Sequence, residues 1–315
     1  MSLLIAAAMA TALFTQTSPA AAEPVTQVEE VIVVARRAGI PIWEVEGPDG
    51  STVILVGMID GAPEDTAWRP EALVEATSRA DRVLFMQRAT LNPLEFMQAL
   101  GRITRNAQLP DGRTTSDYLA PEWQARLEQQ MQGEGSAWHR QNLWAIAMEL
   151  LDDKAGYDRQ VRDDASRLVR RAARRNRAPV QPVASYRGKP MVDRFFEAGP
   201  EGHRACLQAA IAAAEAGPQE SRRRAEEWTR LRVPEVLQSP IQAATEACWP
   251  WGDPSTAEQV RADWRRAVDE ALAAPEGVTL AVAPLAVLAE PDGILDMLEQ
   301  RGLDPRGPFW RADQR

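Results

Sequence analysis

Histidine and cysteine, the side chains on which much metal and nucleophilic chemistry depends, are scarce in this 315-residue chain, with two of each. His139 in SAWHRQN and His203 in GPEGHRACL lie far apart in polar, helix-forming contexts, and no HxxxH spacing occurs. Both read as surface residues, His139 at a helix start, rather than as metal ligands. GxSxG, a Walker loop and GxGxxG are all missing, so a serine nucleophile or a nucleotide phosphate has no local support. A formal net charge of -9 and a pI near 5.0 argue against a nucleic-acid partner, which needs a concentrated positive surface. The one basic run, RLVRRAARRNR from Arg167 to Arg177, has helical spacing. It is either a solvated helix face or a contact for an anionic surface or lipid headgroup.

What is present is the composition of an ordinary globular protein, 45% hydrophobic and 26% charged, enough for a packed core. The N-terminus opens with LLIAAAMATALF, too short to span a bilayer comfortably, followed by SPAAAEP with Ala20 and Ala22 before Glu23. Residues 1–22 read as an export signal, although no Lys or Arg precedes the apolar run; an uncapped N-terminal helix is the alternative. Export implies a periplasmic or secreted protein that is not transmembrane once the signal is removed, in an oxidising compartment. There Cys206 and Cys248 most economically form one disulfide, with two unpaired core thiols as the alternative.

Residues 23–40 form a linker or edge strand. Within them EEVIVVARR, Glu29 to Arg37, resembles a TonB box, which would pair as an added strand with an energy-coupling protein. PIWEVEGPDGSTVILVGM then reads as a hairpin turning at GPDG, RPEALVEATSRA as an amphipathic helix and DRVLFMQ as a buried strand. From Asn92 to Ala274 the pattern is mostly helical, including NPLEFMQALGRI, APEWQARLEQQM, WHRQNLWAIAMELL and GYDRQVRDDASRLVRRAARR. Strand character returns only at APVQPVA and VTLAVAPLAVL, before a last helix, DGILDMLEQRGL, with Gly302 as its stop. The expected fold is therefore α/β, a mixed sheet built from N- and C-terminal segments with a largely helical middle insertion. The expected organisation is a single domain over residues 41–305 and a tail over 306–315.

GMIDG and EPDGIL follow apolar strands, and strand carboxyl ends are where α/β sheets keep their sites. Asp60 and Asp292 could lie there together, but Asp292 is expected to cap the last helix. The ordered set of PIWEVEGPDGSTVILVGMIDG, LPDGRTTSDYLAPEWQARL, GYDRQV, VRADWRRAVDEAL and VTLAVAPLAVLAEPDGILDMLEQRGL resembles the TraB/GumN family, which includes the Tiki proteins. The resemblance implies metal-dependent proteolysis, with a GxxH turn after the second strand, a glutamate ending the third and a histidine in the last strand region.

Here Gly57 matches the glycine, while Asp60 stands in place of the histidine. Met86 or Gln87 takes the place of the glutamate, and Ala184 falls near a second one. Val287 replaces the last histidine and Glu290 a glycine, whereas Asp292 and Gly293 agree with the family pattern. Methionine and valine cannot ligate a hard metal. The expectation is thus a degenerate metallohydrolase site without a cofactor, serving to bind an envelope protein or peptide. The alternative is an active hydrolase holding a divalent metal with carboxylates around Asp60 and Glu290, drawing on Asp158 and Asp292.

Overall fold

The computed structural model describes residues 39–63, 65–157, 164–248 and 250–314. The expected export signal, the TonB-box-like stretch Glu29 to Arg37 and Asp158 lie outside the described residues. Seven strands occur among those described: β1 (Ile42–Glu46), β2 (Ser51–Met58), β3 (Arg82–Phe85), β4 (Arg88–Thr90), β5 (Val180–Pro182), β6 (Ser185–Arg187) and β7 (Gly277–Pro284). Five make a sheet in the order β1-β2-β7-β3-β5. β1 pairs antiparallel with β2 across the GPDG turn, and the remaining neighbours are parallel. The C-terminal β7 is inserted between two N-terminal strands, so the sheet closes only when both ends of the chain meet. Its apolar run fits that central place, since a parallel strand is buried on both faces: Leu280 to Ala283 are all buried.

Two hydrophobic clusters follow. One surrounds the sheet and includes Trp43, Val53, Leu55, Leu73, Val83, Trp264 and Leu295. The other is helical, centred on Leu127, Leu143, Ile146, Leu150, Leu207, Ile211 and Ile241. Cys206 and Cys248 are joined as a disulfide inside this second cluster. No helix among the described residues is long and apolar enough to cross a membrane.

Several local expectations are corrected. VTLAVAPLAVL is not one strand: β7 stops at Pro284, which pairs with Met58, and Leu285–Ala289 is a short helix. Proline has no N–H to continue the ladder, and its fixed φ suits a helix start. WHRQNLWAIAMELL is broken over residues 140–142 because their backbone is diverted to residues 107–109: Asn142 N–H donates to Ala107 O at 2.8 Å, and Leu109 N–H to Arg140 O at 2.7 Å. The helix resumes at Leu143–Glu149 and widens into a π turn over Leu150–Lys154. The strands β4 and β6, a short parallel pair, carry too little apolar pattern to be read from sequence. Helix Pro93–Arg105 buries only Ala99 and leaves Leu94, Phe96, Met97, Leu100 and Ile103 exposed, so its amphipathic face is not turned to the core.

His203 is buried rather than superficial, its ring packed against Phe195 and its Nε2 3.2 Å from the Phe195 carbonyl. Burial holds its pKa below the usual histidine value, with that carbonyl contact opposing. His139 lies on the 3-10 turn Ala137–Arg140, stacked on Trp138. Asp292 does not cap the last helix, Ile294–Gln300; Gly293 holds that position. Asp292 instead adopts a left-handed backbone, φ 58°, and its N–H donates to Asp296 Oδ2 at 3.0 Å. No side chain caps this helix; the Asp296 carboxylate instead reaches back to fix the turn that precedes it.

Candidate functional site

The parallel strands β2, β7, β3 and β5 all end on one edge of the sheet, and parallel sheets keep their ligand sites outside the carboxyl ends. Asp60 follows β2, Met86 and Gln87 follow β3, Ala184 follows β5, and Val287 and Glu290 follow β7. The topology thus carries every one of these sequence positions to the same edge.

The turn after β2 is held by helix Glu220–Thr229. Trp228 Nε1 donates to Gly57 O at 2.8 Å, Arg224 Nη2 donates to Asp60 O, and Ser221 Oγ donates to Gly61 O at 2.9 Å. Positions 221, 224 and 228 recur at three and four, so one helix face grips three carbonyls running from the end of β2 into the turn that follows. Gly61 has φ 65°, and a Cβ there would lie 2.3 Å from the Tyr157 ring, so only glycine fits. At Gly57 a Cβ would meet Leu285 Cδ1 at 2.5 Å. The turn is packed and clamped through its backbone.

Arg224 is fully buried, and its Nη1 also donates to Gln242 Oε1 at 3.1 Å. Desolvation draws its pKa down from the ordinary arginine value, opposed by Tyr157, Asp60, Glu220 and Glu246. Gln242 Nε2 continues the chain to Glu246 Oε1 at 2.8 Å. Burial raises the Glu246 carboxyl above its usual range; the Gln242 amide opposes this and Glu290 adds to it. Glu290 itself is gripped by both Arg261 nitrogens, Nε to Oε1 at 2.6 Å and Nη2 to Oε2 at 2.7 Å. That bond to Glu290 is the main reason the guanidinium of Arg261 is held above its ordinary value. Gln87 Nε2 donates to Val260 O at 3.2 Å on the same helix, Pro254–Leu272.

Sequence reasoning missed Arg224, Gln242, Glu246 and Arg261. A signal existed for two of them: Arg224 shares helical spacing with Ser221, Ala225 and Trp228, and Arg261 falls between Ala257 and Trp264. A charged residue on an apolar stripe is a buried ion-pair candidate. Its partner could not be read from that stripe.

Among the described residues the donor set does not fit a divalent cation. Both Glu290 oxygens are taken by Arg261, Val287 is a core residue at 2% exposure, and Asp292 lies on the exposed turn. Met86 is exposed and Ala184 offers its carbonyl to Arg88 N–H at 2.9 Å. Among the described residues no group of three or more His, Cys, Asp or Glu could hold a metal ion. Two guanidinium groups now sit among the carboxylates of this edge, and a cation there would be repelled by both.

Beside the network lies a cleft of about 680 Å³ whose walls include Met86, Gln87, Tyr186, Met191, Trp251 and Val260. Its lining is mostly apolar and its volume lies in the range of binding clefts. The buried Gln87 Oε1 and Tyr186 hydroxyl have no hydrogen-bond partner.

No curated protein and no solved structure matches the chain. The sequence does match the family described as TraB/PrgY/gumN over residues 41–306, which takes in both ends of the sheet and every residue of the clamped turn. The chain belongs to the TraB/PrgY/gumN family.

Proposed function

We propose that this chain is an exported, non-catalytic member of its family that binds an apolar peptide segment of an envelope protein in the cleft at the carboxyl edge of the sheet. The observation that carries the reading is the pairing of arginine with the one acid that follows β7 at that edge: Arg261 holds both oxygens of Glu290. A metallohydrolase needs free imidazole or carboxylate donors around an open coordination position. Methionine side chains on a cleft wall, Met86 and Met191, suit an adaptable apolar ligand. Export is supported by the pattern of residues 1–22 and by the Cys206–Cys248 bond, which persists in an oxidising compartment.

The test is calorimetric titration of the full chain with manganese, cobalt, zinc and calcium, alongside Asp60→Ala and Glu290→Gln. The expected result is no saturable heat for any ion in any of the three proteins. One-to-one binding in the wild type that disappears in either variant would establish the carboxylate-based hydrolase instead.

A second consequence concerns Glu246. A carboxyl whose folded pKa is raised binds more protons in the folded state, so stability falls as pH rises from the unfolded glutamate value through the folded one. Glu246→Gln keeps an acceptor for Gln242 and removes that penalty. The variant should melt at a higher temperature than wild type at pH 7, and the difference should vanish near pH 4. Equal melting temperatures at both pH values would mean that the carboxyl is solvated.

A further inference from the structure

Seven large hydrophobic side chains are exposed among the described residues, and five of them, Leu94, Phe96, Met97, Leu100 and Ile103, lie on the single helix Pro93–Arg105. At about 100° per residue these five fall on one half of the helix, and Glu95, Gln98, Arg102 and Arg105 fall on the other. A helix of a globular domain normally turns its apolar half inward. This one is fastened by its charged half. Glu95 is paired with Arg187 at 2.6 Å and Arg102 with Asp193 at 2.5 Å, while the Arg102 guanidinium stacks on the Phe196 ring, 4.4 Å from its centroid. Rotating the apolar half inward would break all three contacts. A capping box, in which Asn92 Oδ1 accepts the Glu95 N–H at 2.8 Å and Asn92 N–H donates to Glu95 Oε2 at 2.9 Å, starts the helix without help from that half.

The surroundings of the apolar half match a lipid surface. Bases outnumber acids along its margin, Arg102, Arg105, Arg187 and Lys189 against Glu95 and Asp193, on a chain whose net charge is -9. Two copies of the chain would set that positive margin against itself, whereas an anionic bilayer attracts it. Beside Ile103 the apolar half runs into a mostly apolar cavity of about 260 Å³, lined also by Ala99, Met148, Val192 and Phe196. Such a cavity suits part of an acyl chain, which a bilayer supplies. Thirteen residues extend about 20 Å, short of the roughly 30 Å of a hydrocarbon core, so the helix would lie in the interface rather than cross it.

We infer that helix Pro93–Arg105 docks the protein on an anionic membrane surface. Its apolar half, from Leu94 to Ile103, enters the boundary between headgroups and acyl chains, and its charged half stays joined to β6 and helix Gly188–Glu197. This contact does not require the carboxyl-edge cleft to bind anything.

The experiment places an environment-sensitive dye on the full-length chain at Met97→Cys and, as a control, at the exposed Gln300→Cys. Cys206 and Cys248 are bonded to each other, so the introduced thiol is the one that labels. Phosphatidylcholine vesicles with and without phosphatidylglycerol are titrated into each protein. The expected result is a blue shift at Met97 with the phosphatidylglycerol vesicles, weakened by salt, and no shift at Gln300. Adding Phe96→Gln and Leu100→Gln to the Met97-labelled chain should raise the lipid concentration at half-response at least about tenfold, and Phe96→Leu with Leu100→Met should recover most of that loss. Both positions are exposed, so the glutamine variant should melt at the wild-type temperature and report binding rather than folding. No shift at Met97, an equal shift at Gln300, or a half-response unchanged by the glutamines would overturn the inference. So would a dimer in lipid-free sedimentation equilibrium that the glutamines dissociate, because the apolar half would then belong to a second copy.

Discussion

Arg224→Ala should cost about 3–5 kcal/mol of folding stability, from two stranded buried acceptors at roughly 1–3 kcal/mol each together with the cavity left by the side chain. The side chain is fully buried, and its loss strands the Asp60 carbonyl and Gln242 Oε1 while opening a cavity beneath the turn after β2. Urea unfolding of wild type and variant, compared at equal m-values, measures this directly. Arg224→Met fills most of the volume and should recover part of the loss, but not the two hydrogen bonds. A change below about 1 kcal/mol in Arg224→Ala would show that the carbonyl clamp is dispensable, because domains of this kind carry only about 5–15 kcal/mol in total. Trp228 and Ser221 would then hold the turn alone.

Removal of the disulfide is the second large effect. Cys206 and Cys248 are separated by 42 residues, and closing a loop of that length restricts the unfolded chain by roughly 4 kcal/mol in the chain-entropy picture. The double variant Cys206→Ser, Cys248→Ser should therefore unfold at markedly lower urea than the oxidised wild type. Reductant should bring wild type down to the variant and leave the variant unchanged. The bond lies in the helical cluster, so hydrogen exchange should accelerate first in helices Arg204–Ala216 and Pro240–Ala247 and least in β2 and β7. Reductant without effect on wild type would mean that the thiols are unpaired in solution.

The first of these effects concerns a site that sequence located without describing. The hairpin of β1 and β2, the buried β3 and the late β7 were legible because each is a short apolar run bounded by turn residues. Placing Asp60, Gln87, Ala184 and Glu290 on one edge follows from the parallel order of their strands, which the alternation of strands and helices already implies. What those residues touch was not legible. Glu290 reads as a free carboxylate in EPDGIL, yet Arg261, 29 positions earlier, takes both of its oxygens. His203 reads as exposed in a polar context, yet Phe195 covers it. Helix Pro93–Arg105 reads as one more amphipathic helix, yet its apolar residues are largely exposed.

By itself the sequence determined the α/β class, the meeting of the two chain ends in one sheet, the family and the strand ends where a site could lie. These depend on periodicity and on residue order, and both are local or carried by the chain's connectivity. The tertiary structure alone decided that the backbone at the end of β2 and in the turn after it is gripped by Ser221, Arg224 and Trp228, and that Arg261 is paired with the Glu290 carboxylate. It also decided that helix Pro93–Arg105 is held by its charged half and turns its apolar half outward. Ion pairs and clefts are made between segments far apart in the chain, and the energy of a charge depends on the partner that packing brings to it.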